Sequence, residues 1–235
     1  MNYRLPTLIL SIMKTKSIEI PLNSVTLKGN LAIPKNADGI VVFSHGSGSS
    51  RFSPRNKFVA EMLHQQNFGT LLFDLLTVEE DTIYENTFNI DLLTSRLIEV
   101  TEWLLHHKNV KGIPIGYFGA STGAASALGA AAHFKNKIKA VVCRGGRPDL
   151  ALHHLSAVSA PTLLLVGELD YPVIEMNKLA ISRLYCEKDM QIISGATHLF
   201  KEPGKLVEVV EFSISWYKEH LSKQNYASEK TSVTH

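Results

Sequence analysis

The stretch from Ile113 to Ala125 leaves this chain very few ways to fold. Ile113-Pro114-Ile115-Gly116-Tyr117-Phe118 reads as an apolar strand, Ser121 as a one-residue corner, and Thr122 onward as a helix of small residues. Gly119-x-Ser121-x-Gly123 is the spacing at which a serine sits on a strained strand-to-helix turn, its hydroxyl presented above a sheet. A side chain at either glycine would meet the neighbouring strand or helix and stop the turn from closing. The pattern alone decides little, since about one chain in ten of this length carries it by chance at average Gly and Ser frequencies. The surrounding sequence has to decide.

Upstream, Ser17 to Leu22 alternates at period two and Val25 to Ile33 follows it across Asn23-Ser24, which predicts an antiparallel hairpin. Ile40-Val41-Val42-Phe43 is a buried-strand run leading into the loop His45-Gly46-Ser47-Gly48-Ser49-Ser50-Arg51. A helix is expected over Pro54 to Gln66, a strand over Gly69 to Phe73, and a helix over Asp91 to His107. The acidic loop Glu79-Glu80-Asp81 between them reads as a solvated face. After the corner come a strand over Ile138 to Cys143, a helix opened by Arg147-Pro148-Asp149-Leu150, and a strand over Pro161 to Val166. A helix over Val173 to Tyr185, a strand over Met190 to Ile193 and a helix over Pro203 to Leu221 complete the series.

A hairpin followed by alternating strands and helices predicts an α/β fold: a three-layer α/β/α sandwich around a mostly parallel sheet of eight strands. At 235 residues one such core accounts for the chain, with an N-terminal arm over 1–16, one domain over 17–221 and a disordered tail over 222–235. Leu5 to Met13 is apolar but too short to span a membrane, and it reads as an arm or as a targeting or anchoring segment. Basic and acidic residues nearly balance, 24 against 22, which gives no argument for a nucleic-acid or anionic-membrane partner. Two cysteines make no disulfide framework, and Cys143 at the end of a strand reads as a buried thiol in a reducing, cytoplasmic setting.

In sheets of this kind ligands gather at the carboxyl ends of the strands. Ser121, the His45–Gly48 loop, Asp170 and His198 all fall just after predicted strands. A serine hydroxyl needs a base to become a nucleophile, and an imidazole needs an acid to fix its tautomer. Of the ten histidines, most lie in predicted helices. His45 reads as shaping its loop, and His198, between the last strand and the last helix, is the expected base. Asp170 is the expected acid, with Glu168 the runner-up, Asp149 a first-turn helix acid and Asp74 a supporting hydrogen-bonding group. Backbone amides of Thr122 and Ser47, with Gly46 as the alternative to Ser47, are the expected donors to an oxyanion. Arg51, Arg144 and Arg147 follow strand ends and are candidates for a substrate carboxylate, or for pairing with local acids.

Together His45-Gly46, Gly119-x-Ser121-x-Gly123, Asp170 and His198, in the chain order Ser, Asp, His, resemble the α/β-hydrolase superfamily over Ser17 to Leu221. The His45-Gly46-Ser47-Gly48-Ser49 loop, the Asp170-Tyr171-Pro172-Val173 context and the lack of room for a cap after Cys143 are similar to the dienelactone-hydrolase-like branch. The resemblance implies a serine hydrolase of small esters or lactones, with no metal and no organic cofactor. Dienelactone hydrolases proper carry a cysteine nucleophile where this chain has Ser121, so the likeness supports ester-type hydrolysis and leaves dienelactone itself open. Thioesterase, small peptidase and acyltransferase activities on the same scaffold stay open, as does a non-catalytic binding module.

Overall fold

In a computed structural model residues 14–221 are described, and residues 1–13 and 222–235, which hold most of the expected arm and the expected tail, lie outside them. Strands β1 (Lys16–Pro21) and β2 (Thr26–Ala32) form the predicted hairpin, closed by the Leu22 N–H donating to Val25 O at 2.8 Å. Strands β3 (Gly39–Ser44), β4 (Phe68–Phe73), β5 (Ile115–Ala120), β6 (Ile138–Arg144), β7 (Thr162–Gly167) and β8 (Lys188–Ile193) follow. They join one eight-stranded sheet in the order β1-β2-β4-β3-β5-β6-β7-β8, antiparallel only where β2 meets β1 and β4. Every residue of β3, β4, β5 and β7 is buried, which is why these strands read as unbroken apolar runs rather than as alternation.

Helices cover both faces. Helix α1 (Pro54–Gln65) and helix α7 (Lys205–His220) pack with Val41, Phe43, Phe118 and Val142 on one side. Helices α3 (Ile90–His106), α4 (Thr122–Phe134) and α6 (Tyr171–Ile181) pack on the other. Helix α1 starts where the sequence says, at Ser53, whose Oγ accepts from Asn56 N–H at 3.4 Å, with Pro54 opening its first turn. Helix α4 is buried at every position but His133, and only small residues let a central helix press that closely on a sheet. Tyr217 of α7 donates its hydroxyl to Tyr117 O at 2.7 Å, while the Tyr117 hydroxyl meets Thr101 Oγ1 of α3 at 2.9 Å. The two tyrosines thus tie helices on opposite faces to the central strand.

Two local expectations change. The acidic stretch is not simply a solvated loop: Val78–Asp81 forms a single-turn helix, α2, capped by Thr77 in a reciprocal capping box with Glu80. Glu80 also accepts from Arg96 Nη2 at 2.7 Å, so one of the three acids neutralises a buried guanidinium. The helix expected after Arg147 is a 3-10 turn, Pro148–Ala151, and then the single turn α5 (Leu152–Leu155). That short connection, residues 145–161, is where a cap would be inserted, and it carries none.

The chain runs from β3 through α1 to β4, then back across β3 to β5, so the connections leaving β3 and β5 diverge on opposite faces. A crevice opens at such a reversal, beyond the carboxyl ends of the two strands. Replacing Tyr217 by Phe removes the buried hydrogen bond to the Tyr117 carbonyl and is expected to cost about 0.5–1.5 kcal/mol, read as a lower urea midpoint with an unchanged slope.

Candidate active site

Ser121 ends β5 and precedes α4 with φ 53° and ψ −124°, a left-sided backbone that costs a non-glycine residue about 1–3 kcal/mol. Local hydrogen bonds hold it there. Its N–H donates to Arg144 O at 3.2 Å, and its carbonyl accepts from Ala124 N–H at 3.0 Å and Arg147 N–H at 2.9 Å. The glycines on either side act as the sequence implies. A Cβ at Gly119 would lie 2.6 Å from Ala124 Cα, and one at Gly123 would fall on the Ser44 carbonyl. Only without those side chains can α4 settle against the end of β3.

His198 lies in the β8–α7 connection, in a turn closed by the Phe200 N–H donating to Thr197 O at 3.1 Å. Phe200 itself is buried among the residues under α7 and adopts φ 54°, so burial of its ring fixes the turn that carries the imidazole. Glu202 accepts from Thr197 Oγ1 at 2.6 Å and from its N–H at 3.2 Å, which secures the other side of that turn. His198 Nδ1–H donates to Asp170 Oδ2 at 2.6 Å. Asp170 occupies the position before α6 where an aspartate usually caps a helix, yet it caps nothing, because its carboxylate is committed to the imidazole. Glu168 is committed elsewhere: it accepts from Gly195 N–H at 2.7 Å and Ser194 Oγ at 3.0 Å. Those bonds, the Gly195 one foremost, hold its pKa below the usual carboxylate range. Asp170 and not Glu168 is therefore the acid set against His198.

Ser121, His198, Ser47, Gly46, Arg144 and Asn56 line one cleft of about 220 Å³. Thr122 opens α4, so its N–H belongs to the first helical turn, whose amides have no partner within the helix. The Ser47 amide is differently placed from expectation: it donates to Thr122 Oγ1 at 2.9 Å, so the second expected donor is already engaged. His45 does shape its loop. It is buried, accepts Leu75 N–H on Nε2 at 3.1 Å and donates from Nδ1 to Gly46 O at 2.9 Å.

The three candidate arginines separate. Arg51 pairs with Asp74, through its guanidinium and through its N–H at 2.7 Å. Arg147 forms a two-pronged pair with Asp149 at 2.9 and 2.8 Å. Arg144 is buried, lines the cleft and meets no carboxylate; burial, and then the neighbouring Arg55, push its pKa down to about 10. Arg55 and Asn56, which the sequence reading passes over, enter the cleft from the first turn of α1. Ser53-Pro54 signals that helix start, but not which way its first turn faces. Cys143 is buried and its thiol pKa is raised by that burial, which makes it no competitor to Ser121. Among the described residues two clusters could in geometry hold a cation, Asp91 with His153 and His154, and Glu187 with Glu219 and His220; neither lines the cleft.

Burial lowers the pKa of His45, and likewise of His64 and His154, from 6.5. A depressed histidine pKa means that the unfolded chain binds the proton more readily. The stability gained by keeping these rings neutral is present above pH 6.5 and is lost as pH falls below it through the folded values. Urea midpoints are expected to fall between about pH 7.5 and 5.5, above the carboxylate range, and the fall should be shallower in His45→Gln.

Residues 98–181 match the family described as BAAT / Acyl-CoA thioester hydrolase C terminal. The solved dienelactone hydrolase of Anabaena variabilis is 49% identical, with a TM-score of 0.86 over 89% of this chain and 99% of that one. Est1E of Butyrivibrio proteoclasticus shares the fold at 17% identity, with a TM-score of 0.72 over 86% of this chain and 99% of its own. A Mycobacterium tuberculosis protein provisionally named a phosphoribosyl transferase is 48% identical over 209 residues, 89% of this chain and 47% of that one. The chain thus spans about half the length of the curated relatives it matches. No helix among the described residues is long and apolar enough to cross a membrane. With a near-full-length relative at this identity, the chain belongs to the dienelactone-hydrolase-like branch of the α/β-hydrolase superfamily.

Proposed function

We propose that this protein is a serine hydrolase that opens carboxylic esters or lactones of small substrates through an acyl-enzyme. The observation that carries the reading is the 2.6 Å Asp170–His198 contact beside a cleft that Ser121 also lines. With its Nδ1 proton given to Asp170, His198 keeps Nε2 as the acceptor for the Ser121 proton.

In the proposed sequence Ser121 Oγ bonds the carbonyl carbon while His198 Nε2 takes its proton. The carbonyl oxygen becomes an oxyanion, met by the Thr122 amide. The Ser47 amide joins it when the Thr122 hydroxyl turns aside, with Gly46 as the alternative donor. Collapse breaks the bond to the leaving alcohol, which receives the proton from His198. A water then repeats the steps on the acyl-serine and releases the acid. Asp170 offsets the imidazolium charge in both halves.

The match to a thioester hydrolase family favours one second reading, acyl thioesters as substrates of the same acyl-enzyme chemistry. A panel of short-chain esters, lactones and thioesters separates the two by kcat/KM. The Mycobacterium tuberculosis relative is about twice as long as the part it shares with this chain.

Ser121→Ala is expected to lower p-nitrophenyl ester turnover about 10⁴-fold or more and to abolish labelling by a fluorophosphonate probe, with an unchanged circular dichroism spectrum. Asp170→Asn should lower turnover by about 10²- to 10⁴-fold, and Glu168→Gln far less. Undiminished turnover in Ser121→Ala would refute the serine assignment.

A further inference from the structure

Asn177, in α6, is fully buried, and only one end of its amide is used. Its Nδ2 donates to Val173 O at 2.7 Å, one turn back in the same helix, and to Gly146 O at 2.9 Å in the connection after β6. Its Oδ1 is buried and has no partner among the described residues. A buried amide oxygen left unsatisfied costs stability, and a leucine of similar shape would avoid that cost. What the nitrogen holds therefore accounts for the side chain.

Both acceptors lead to the site. Val173 is in the first turn of α6, where the Ile174 N–H donates to Asp170 O at 3.0 Å. This turn is continuous with the carboxylate that His198 meets. Gly146 stands between two residues that touch the other members of the site. After it, the Arg147 N–H donates to Ser121 O at 2.9 Å. Before it, Gly145 lies against His198: with φ 49°, a Cβ there would come within 3.0 Å of His198 O and 3.5 Å of His198 Cε1. Gly146 itself is pressed against α4, where a Cβ would meet Ala124 Cβ at 2.6 Å. One buried amide thus joins the helix start that bears Asp170 to the loop that touches both Ser121 and His198.

We propose that Asn177 is a positioning residue: by fastening Gly146 to the first turn of α6, it fixes Ser121, His198 and Asp170 relative to one another. The proposal rests on the serine-hydrolase reading for its effect on turnover; its effect on the loop does not depend on that reading. Asn177 does not line the cleft, so it acts through Gly146 and Val173 and not on the substrate. A displacement of about 1 Å between reacting groups can cost on the order of 10²-fold in rate.

Two variants test it. Asn177→Leu removes both bonds. Asn177→Ser keeps a hydroxyl that can donate to Val173 O, as Ser213 does to Val209 O at 2.7 Å, but is too short to reach Gly146. Each is measured at a temperature where its circular dichroism matches the wild type, and Asn177→Ser carries the comparison if Asn177→Leu does not fold. Both are expected to lower kcat for p-nitrophenyl acetate about 10- to 100-fold with KM within about twofold, and to slow fluorophosphonate labelling by a similar factor. A residue that only stabilised the fold would lower Tm and leave the labelling rate of folded protein unchanged. That result, or wild-type kcat in Asn177→Ser, overturns the proposal. Hydrogen exchange reads the loop independently of turnover. The Arg147 amide is expected to exchange about tenfold faster or more in both variants, measured against the amides of the buried strand β4. An unchanged ratio overturns the proposal. If the wild type neither turns over the ester nor is labelled, the hydrolase reading fails, and the exchange ratio alone decides whether Asn177 holds the loop.

Discussion

The approach of α4 to the carboxyl end of β3 is the contact on which the site depends. A hydrogen at residue 123, instead of a methyl group, lets the helix rest on the Ser44 carbonyl. Gly119, near the end of β5, gives the same freedom against Ala124. Once the helix is that close, the connection from β5 has a single residue in which to turn, and Ser121 takes the strained backbone that results. The cost falls on one residue and is carried by a central strand buried on both faces, where the sheet is least able to yield. The hydroxyl is therefore presented from the end of a strand buried along its whole length.

The imidazole is held in the opposite manner. It sits on a turn, and each group around that turn has one task. Phe200 supplies the anchor, Glu202 ties Thr197, Glu168 ties Gly195, and Asp170 alone is left for His198. Three carboxylates, Glu168, Asp170 and Glu202, could have competed for these donors. Their separation comes from geometry: each carboxylate is taken up by the donor nearest to it.

Most of the architecture could be read from residues, because both periodicities were strong. Fully buried strands announced themselves as Ile40 to Phe43 and Leu163 to Val166, and the strand ends then pointed to Ser121, Asp170 and His198 as a group. What could not be read depended on where side chains meet across distant segments. Nothing in Thr122 foretells that its hydroxyl accepts from the Ser47 amide, 75 residues earlier. Arg51, Arg144 and Arg147 look alike in sequence, and only contact with Asp74 and Asp149 removes two of them from the cleft. Glu80 passed as one of three solvated acids because its partner, Arg96, lies on another helix.

Strand β8 pairs with β7 alone and is exposed along much of its length, yet the turn bearing His198 hangs from its end. Edge segments with few buried contacts open at lower free energy than the strands at the middle of a sheet. The serine and the histidine thus belong to regions of unequal cooperativity. On the proposed hydrolase reading, warming or mild denaturant would detach the proton acceptor while the central strands stay folded, so activity would be lost before the fold and the last strand, rather than the core, would set the working range.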